Sequence, residues 1–247
     1  MVLGVIPARY ASTRFPGKPL VDIHGKSMVR RVVEQCQKTQ HLDRVLVATD
    51  DARIFNHVTA FGGEAIMTRE DHLSGTDRLI EVAEQYSNYS HYVNIQGDEP
   101  FIQPGQIDLL VEVLLGDAQV HIATLVQPIQ DPVRIFDPNT VKVVVDVKGY
   151  ALYFSRSPIP YIRKANKRAE WMEAHTFYKH IGIYGFSSSA IQSIKAMSPA
   201  VLEKAESLEQ LRWLVEGLRI KTAISTHHSP SVDTPADLER ILKNYHG

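Results

Sequence analysis

Residues 2–19 read Val-Leu-Gly-Val-Ile-Pro-Ala-Arg-Tyr-Ala-Ser-Thr-Arg-Phe-Pro-Gly-Lys-Pro, and this stretch decides the fold class. The apolar run at 2–6 ends at a proline, which is typical of a buried strand in a parallel sheet. The loop that follows carries cations, hydroxyls and a glycine, and its prolines hold its path stiff. A loop at the carboxyl end of such a strand is where open α/β sheets bind ligands.

The composition of this loop predicts a polyphosphate site. Arg9, Arg14 and Lys18 supply positive charge, and Ser12 adds a hydroxyl to the backbone N–H donors. Each anionic oxygen of a polyphosphate needs such a donor. The loop is neither a Walker A loop nor a dinucleotide turn, since both glycine patterns are missing from it. The alternative is a solvated basic loop, which has no need of prolines that fix its path.

Length and charge limit the class of protein. The chain has 247 residues and is 44% hydrophobic, so it can bury the core of one domain, 1–247, with an excursion at about 157–178. Its 27 basic and 28 acidic residues give no overall attraction to nucleic acid or to a membrane surface. No signal peptide and no run of about 18 apolar residues is present. We therefore expect a cytoplasmic protein whose cation clusters are local binding sites.

The first half of the chain alternates strands and helices. Further strands are predicted at 44–49, 64–67 and 92–96. Helices are predicted at 28–36 behind a Ser27 cap, at 51–61, at 76–86 and from Pro104 onward. The single cysteine, Cys36, falls on the apolar face of the first helix and is expected to be buried filler. The alternation predicts a parallel sheet with right-handed crossovers.

The pattern changes after about residue 118. Strands predicted at 121–126, 141–147 and 151–155 follow one another without helices between them, so part of the sheet should be antiparallel. After the excursion the expected elements are a strand at 180–186, a helix at 206–216, a strand at 220–226 and a helix at 235–245. The expected fold class is therefore α/β with a mostly parallel, mixed central sheet.

Two acidic residues are candidate metal ligands. Asp98 lies in a Gln-Gly-Asp-Glu-Pro turn directly after a predicted strand, and Asp233 precedes the last predicted helix. Carboxylate oxygens are the ligands that Mg²⁺ prefers, and a carboxylate pair beside a basic loop suits nucleotidyl transfer. The alternatives are a turn residue for Asp98 and a helix cap for Asp233, a role that Thr234 could also fill.

A third polar cluster, Asp-His-Leu-Ser-Gly-Thr-Asp-Arg at 71–78, enters the helix predicted at 76–86. Its helix N–H groups and small residues allow a ligand to approach closely, and Arg78 falls one turn into the helix. The alternative is an ordinary capped helix start.

Eight segments carry a resemblance to a known family. They are PARYASTRFPGKPL at 7–20, ATD at 48–50, DHLSGTDR at 71–78, NIQGDEP at 94–100, YALYFSR at 150–156, KHIGIYGF at 179–186, LEQLR at 208–212 and VDTPADLER at 232–240. In this order they closely resemble the 3-deoxy-manno-octulosonate (Kdo) cytidylyltransferases. The resemblance implies a three-layer, Rossmann-like nucleotidyltransferase sandwich, usually a homodimer. It also implies conversion of CTP and Kdo to CMP-Kdo and pyrophosphate with Mg²⁺, for lipopolysaccharide synthesis.

The resemblance also implies roles for individual positions. The catalytic residues would be Arg9, Lys18 and Asp98, and the magnesium ligands Asp98 and Asp233. The nucleotide contacts would be Pro7, Ala8, Arg9, Ser12, Arg14, Lys18, Ser74, Gly75 and Arg78. The Kdo pocket would be formed by Gln96, Arg156, His180, Tyr184, Glu209 and Gln210, with Arg156 on the sugar carboxylate. From the residues alone, His180 could equally be a core histidine, and Glu209 and Gln210 could be surface polar groups of a helix.

Three other functions compete with this interpretation. Another sugar nucleotidyltransferase or a glycosyltransferase would carry an Asp-x-Asp motif, whereas the turn at 97–99 reads Gly-Asp-Glu. A non-catalytic nucleotide-binding protein would have lost a loop cation or a candidate metal carboxylate, and none is lost. An enzyme acting on the 8-amino analogue of Kdo would differ only at the far end of the sugar, so both sugars stay open.

Overall fold

The structure, a computed structural model, describes residues 1–11, 15–72, 74–165, 167–168, 170–227 and 229–244. The strands are β1 (Val2–Ala8), β2 (Asp22–Ile23), β3 (Lys26–Ser27), β4 (Arg44–Thr49), β5 (Ala65–Met67), β6 (His91–Asn94), β7 (Ile122–Pro128), β8 (Lys142–Val145), β9 (Ala151–Ser155), β10 (Tyr178–Ser187) and β11 (Ile220–Ile224). The helices are α1 (Met28–Cys36), α2 (Ala52–Ala60), α3 (Gly75–Gln85), α4 (Pro104–Leu115), α5 (Pro132–Phe136), α6 (Glu170–Ala174), α7 (Ser188–Lys195), α8 (Val201–Glu206), α9 (Gln210–Val215) and α10 (Pro235–Asn244).

A mixed sheet organises these elements. Its main path has the order β11-β7-β10-β6-β1-β4-β5. Along this path β10 is antiparallel to both of its neighbours, and the other strands share one direction. A ribbon of β8 and β9 is attached to β10. The predicted α/β class with a mostly parallel, partly antiparallel sheet is confirmed, and it places the ends of β1 and β6 side by side.

Local signals account for the first helices. The Ser27 hydroxyl accepts from the Arg30 amide at 3.3 Å and caps α1, as predicted. Asp51 caps α2 through the Arg53 amide at 2.9 Å. Cys36 is buried on the apolar face of α1, as expected.

Helices cover the sheet on both faces. The core on one face joins Val33 of α1 and Ile107 of α4 to the strands. The core on the other face joins Leu79 of α3 and Trp213 of α9. This arrangement gives three layers. None of the described helices is both long enough and apolar enough to cross a lipid bilayer.

The second half departs from the prediction in its helices. The helix predicted at 206–216 is the shorter α9. A separate, unpredicted helix, α8, precedes it and ends where Ser207 adopts a left-handed conformation (φ 51°). The helices α5 and α7 were not predicted, since each is too short for an apolar period to stand out. The excursion is also less polar than expected. Trp171 of α6 and Phe177 pack on Ile129 and Ile135.

Candidate active site

A cleft of about 390 Å³ lies at the carboxyl ends of β1 and β6. We call it the first cleft; its lining residues are Pro7, Ala8, Arg9, Ala11, Lys18, Pro19, Gly75, Gln96, Gly97 and Asp98. Gly97 is required where the two strand ends meet, because a Cβ atom there would lie 2.7 Å from the Pro7 carbonyl oxygen. The predicted basic loop and the predicted acidic turn therefore face one space.

The loop after β1 is closed on itself. The Gly17 amide donates to the Tyr10 carbonyl at 2.9 Å, and Gly17 adopts φ 72°, which favours glycine. The Arg53 guanidinium lies 3.3 Å from the centre of the Tyr10 ring, and this contact attaches the loop to α2. The Arg9 guanidinium donates to the His72 carbonyl, which links the loop to the 71–78 segment. Ser12 and Arg14 lie outside the described residues, so their nucleotide roles stay predictions.

One ammonium joins three separate parts of the chain. Lys18 Nζ lies 2.8 Å from Asp98 Oδ2 and 3.9 Å from Asp233 Oδ1, and it donates to the Val232 carbonyl at 3.0 Å. A cluster that contains Val232, Ile241 and Phe15 packs α10 beneath the loop and so positions Asp233. The structure thus brings the two candidate metal ligands to the same cation.

Thr234 supplies the helix cap that was the alternative role for Asp233. The Thr234 hydroxyl accepts from the Asp237 amide at 3.3 Å and donates to Asp237 Oδ2 at 2.9 Å. Capping therefore does not account for the Asp233 carboxylate. Two carboxylates that already share a cation fit Mg²⁺, which typically takes one or two protein carboxylates together with substrate phosphates. Within the described ranges, no three His, Cys, Asp or Glu side chains are grouped to hold a metal by themselves.

A second cleft of about 330 Å³ lies on the other side of Asp98, which borders both clefts. Its lining is Asp98, Glu99, Gln106, Gln127, Arg134, Asn139, Thr140, Val141, Lys179, His180, Ile181, Gly182, His227, Ser229, Ser231 and Asp233. Glu99 is buried there and accepts from the Ser229 hydroxyl at 3.1 Å. Burial, followed by the charge of Asp98, raises the pKa of Glu99 to about 7.

One predicted Kdo contact, His180, lies at this second cleft, and another, Gln96, lines the first cleft but contacts a residue of the second. Gln96 Nε2 donates to the Gly182 carbonyl at 2.8 Å and joins the turn after β6 to β10. His180 borders the cleft, with Nε2 3.0 Å from the Thr124 hydroxyl and its ring edge-on to Phe154. Burial lowers the pKa of His180 to about 3, so the imidazole is neutral.

Three further Kdo candidates, Glu209, Gln210 and Tyr184, lie elsewhere. Glu209 contacts the 71–78 segment, which was predicted to bind the nucleotide. Glu209 accepts from the Ser74 hydroxyl at 2.8 Å and from the Thr76 hydroxyl at 2.9 Å, and burial raises its pKa. Ser74 also caps α3 through the Asp77 amide at 3.1 Å. The Tyr184 ring packs edge-on against the Trp213 ring, with the two ring centres 5.0 Å apart. Gln210, next to Glu209, is buried.

Six of the predicted contacts among the described residues line neither cleft: Ser74, Arg78, Arg156, Tyr184, Glu209 and Gln210. Two of them are arginines whose guanidinium groups contact other parts of the protein. Arg78 is fully buried, and its guanidinium donates to Asp50 Oδ2 at 2.9 Å and to the Thr68 hydroxyl. Arg156 Nε donates to the Glu206 carbonyl at 2.7 Å, and its other two nitrogens donate to the carbonyls of Pro138 and Ser207. Each guanidinium therefore has a structural use here, and the ligand roles of both residues stay predictions.

Sequence reasoning missed three charged residues of the second cleft. Lys179 precedes His180 in the 179–186 segment, and Glu99 follows Asp98. Because His180 and Asp98 were already candidate site residues, their position next to Lys179 and Glu99 was the signal that could have identified these two. Arg134 gave no signal, because it lies on α5, which the pattern did not reveal.

Comparisons with known proteins agree with this geometry. A family model described as cytidylyltransferase matches residues 3–220. A 3-deoxy-manno-octulosonate cytidylyltransferase of Parabacteroides distasonis is 50% identical over 245 residues, which cover 97% of this chain and 96% of that protein. The enzyme of the same name from Cytophaga hutchinsonii is 48% identical over 241 residues, with 97% and 96% covered.

A solved structure is similar over nearly its whole length. It is described as CMP:2-keto-3-deoxy-manno-octonic acid synthetase complexed with CTP. It superposes with a TM-score of 0.91 at 44% identity, and the match covers 98% of this chain and 97% of that one.

Proposed function

The chain belongs to the cytidylyltransferase family, and from that membership we propose that it transfers the CMP group of CTP to Kdo and releases pyrophosphate. The observation that carries the proposal is the position of Asp98, which borders two clefts and contacts Lys18. A reaction that joins two substrates needs two adjoining spaces and a charged centre between them. The product, CMP-Kdo, is the activated sugar for lipopolysaccharide synthesis.

The electrostatics of the two clefts suit two anionic substrates. Kdo carries a carboxylate and CTP a triphosphate, so the substrates repel each other unless cations lie between them. The anomeric 2-hydroxyl of Kdo attacks the α-phosphorus in line with the departing pyrophosphate. Lys18 at the junction of the clefts neutralises charge that develops on the α-phosphate. Arg9 lines the first cleft, where it neutralises the leaving pyrophosphate.

Asp98 and Asp233 would hold a magnesium ion. When bound, that ion supplies charge neutralisation and lowers the pKa of the attacking hydroxyl. Lys18 keeps both carboxylates facing the junction before the substrates arrive. The second cleft orients the acceptor through the neutral His180, and Gln96 reaches it from the first cleft by its hydrogen bond to Gly182 of β10.

Two further properties are proposed on sequence and family grounds. The protein is a homodimer, and it works in the cytoplasm on small-molecule substrates. Sedimentation equilibrium of the purified chain measures the first directly, and a monomer at micromolar concentration would contradict it.

The decisive experiment is pyrophosphate release from CTP with Mg²⁺, with and without Kdo. We expect release only when Kdo is present, with CMP-Kdo formed in equal amount. Release without Kdo would indicate a hydrolase. CTP binding without turnover on any sugar acid would favour the non-catalytic alternative. A competition assay that contains both Kdo and its 8-amino analogue identifies the preferred acceptor. We expect the higher kcat/KM with Kdo.

A further inference from the structure

Two cations of the second cleft have no part in the proposed chemistry so far. Lys179 on β10 and Arg134 on α5 both line this cleft. Both also line an adjoining groove of about 300 Å³ beside residues 127–131. Lys179 is half-buried, whereas Arg134 is exposed. The cation pair therefore stands where the second cleft opens outward.

Neither cation of this pair has a direct ionic partner among the described residues. Within the described ranges, neither Lys179 nor Arg134 lies within 4.0 Å of a carboxylate oxygen. Glu99, the buried carboxyl in the same cleft, accepts instead from Ser229. Burial, followed by the neighbouring charge of Arg134, lowers the pKa of Lys179, and the charge of Glu99 offsets this only in part. Two cations that line one cleft, one of them half-buried, favour the binding of an anion there.

The chemistry of the acceptor identifies a fitting anion. In a 2-keto-3-deoxy sugar acid, the carboxylate is bonded to the carbon that bears the attacking hydroxyl. Because the triphosphate occupies the first cleft in the proposed reaction, that carboxylate must lie in the second cleft, near Asp98. Arg156, the residue that the family resemblance implies for this contact, donates to three backbone carbonyls and lines neither cleft.

We propose that Lys179 and Arg134 bind the carboxylate of the sugar acid and thereby direct its 2-hydroxyl toward Asp98. An ammonium and a guanidinium fork can each donate to a different carboxylate oxygen. Lys179 contributes more, because it is less exposed and its charge is less screened by water. The proposal rests on the proposed function, since it assigns one substrate of that reaction to these residues.

The experiment compares Lys179→Gln and Arg134→Gln with the control Lys164→Gln, which removes an exposed cation outside both clefts. Loss of a charge-assisted hydrogen bond should raise the KM for Kdo about tenfold to hundredfold in the Lys179 variant. The Arg134 variant should show a smaller rise, and the control none. The KM for CTP should stay within about twofold. Lys179→Arg should restore most of the Kdo affinity, and thermal melting checks that each variant folds.

A neutral substrate separates a carboxylate contact from a general loss of binding. The C1 methyl ester of Kdo should bind the wild-type enzyme more weakly than Kdo does, whereas Lys179→Gln should discriminate little between the two. Equal discrimination by wild type and variant would overturn the proposal. A change in CTP or pyrophosphate affinity with an unchanged Kdo affinity would also overturn it and assign the pair to the phosphates.

The same measurements distinguish this proposal from the proposed function. If the wild-type enzyme does not turn over CTP with Kdo, the proposed function fails. Calorimetric binding of Kdo and its ester to wild type and Lys179→Gln still tests the cation pair in that case. Binding of Kdo that is unaffected by the substitution would overturn the inference by itself.

Discussion

Lys18 Nζ lies 2.8 Å from Asp98 Oδ2, and this contact ties the loop after β1 to the turn after β6. Both side chains are mostly buried, with 14% and 26% of their surfaces exposed, so their attraction is weakly screened. The ammonium is therefore held at the junction of the two clefts before any nucleotide binds, and it need not reorganise during the reaction.

Lys18→Ala should lower kcat about a hundredfold or more and raise the KM for CTP much less. The reason is that Lys18 stands at the junction, where charge develops in the transition state, rather than at the far end of a bound triphosphate. Steady-state kinetics in CTP measure both constants. Lys26→Ala removes an exposed lysine that pairs with Glu34 and serves as the control. A rise in KM with kcat unchanged would make Lys18 a ground-state contact.

Asp98→Asn and Asp233→Asn should each reduce turnover by orders of magnitude while the protein stays folded. Each substitution removes a carboxylate that is suited to Mg²⁺ from a surface-facing loop. Asp22→Asn, on the exposed hairpin of β2 and β3, is the control. Isothermal titration of Mg²⁺ in the presence of CTP gives a readout besides activity. Normal turnover by either variant would remove that residue from the metal site.

Glu209→Gln should raise the KM for CTP about fivefold to tenfold. Glu209 accepts from Ser74 and Thr76, and a glutamine oxygen replaces only one of the two acceptors. The cost of one hydrogen bond, about 1 kcal/mol, corresponds to this change. Glu216→Gln at the exposed end of α9 is the control. If only the KM for Kdo rises, Glu209 acts in the sugar pocket, as the family resemblance implies, and not through the nucleotide segment.

Glu99 should make the free energy of unfolding depend on pH. Its pKa is about 7 in the folded protein and about 4.5 when unfolded, so between these values the folded state binds more protons. The wild-type protein should therefore lose stability as the pH rises from about 4.5 to 7. Glu99→Gln should lack this loss and exceed wild type by a few kcal/mol at pH 8, on the order of 1.4 kcal/mol per pH unit. Denaturant titrations of both proteins measure the difference, and exposed Glu239→Gln should track wild type.

The parts of the fold that sequence predicts well are those set by local signals. The apolar run of β1 ends at a proline, Ser27 and Asp51 cap their helices, and the acidic turn directly follows β6. Each of these features is determined by residues close to it in the sequence. The junction of the clefts was also predictable, because carboxyl ends of parallel strands meet at one edge of a sheet.

The features that sequence did not reveal are set by distant contacts. Lys179 and Arg134 lie 45 positions apart, and only the fold brings both of them to the lining of one cleft. The carbonyls around Arg156 come from the end of α8 and from the segment before β8, so neither residue type nor spacing indicated how its guanidinium is used.

Arg156→Lys distinguishes a structural arginine from a ligand contact. The guanidinium donates to carbonyls of Pro138, Glu206 and Ser207, and a single ammonium cannot reproduce this fork. We expect a loss of about 1–3 kcal/mol in the free energy of unfolding, measured by denaturant titration.

The KM for Kdo of Arg156→Lys should change less than threefold under conditions where the variant stays folded, because Arg156 lines neither cleft. Arg163→Lys, an exposed arginine in the excursion, should change neither quantity. The family assignment of Arg156 to the sugar carboxylate makes the opposite forecast. It requires a KM for Kdo more than tenfold higher with stability unchanged, and that result would mean that Arg156 leaves its three carbonyls when the sugar binds.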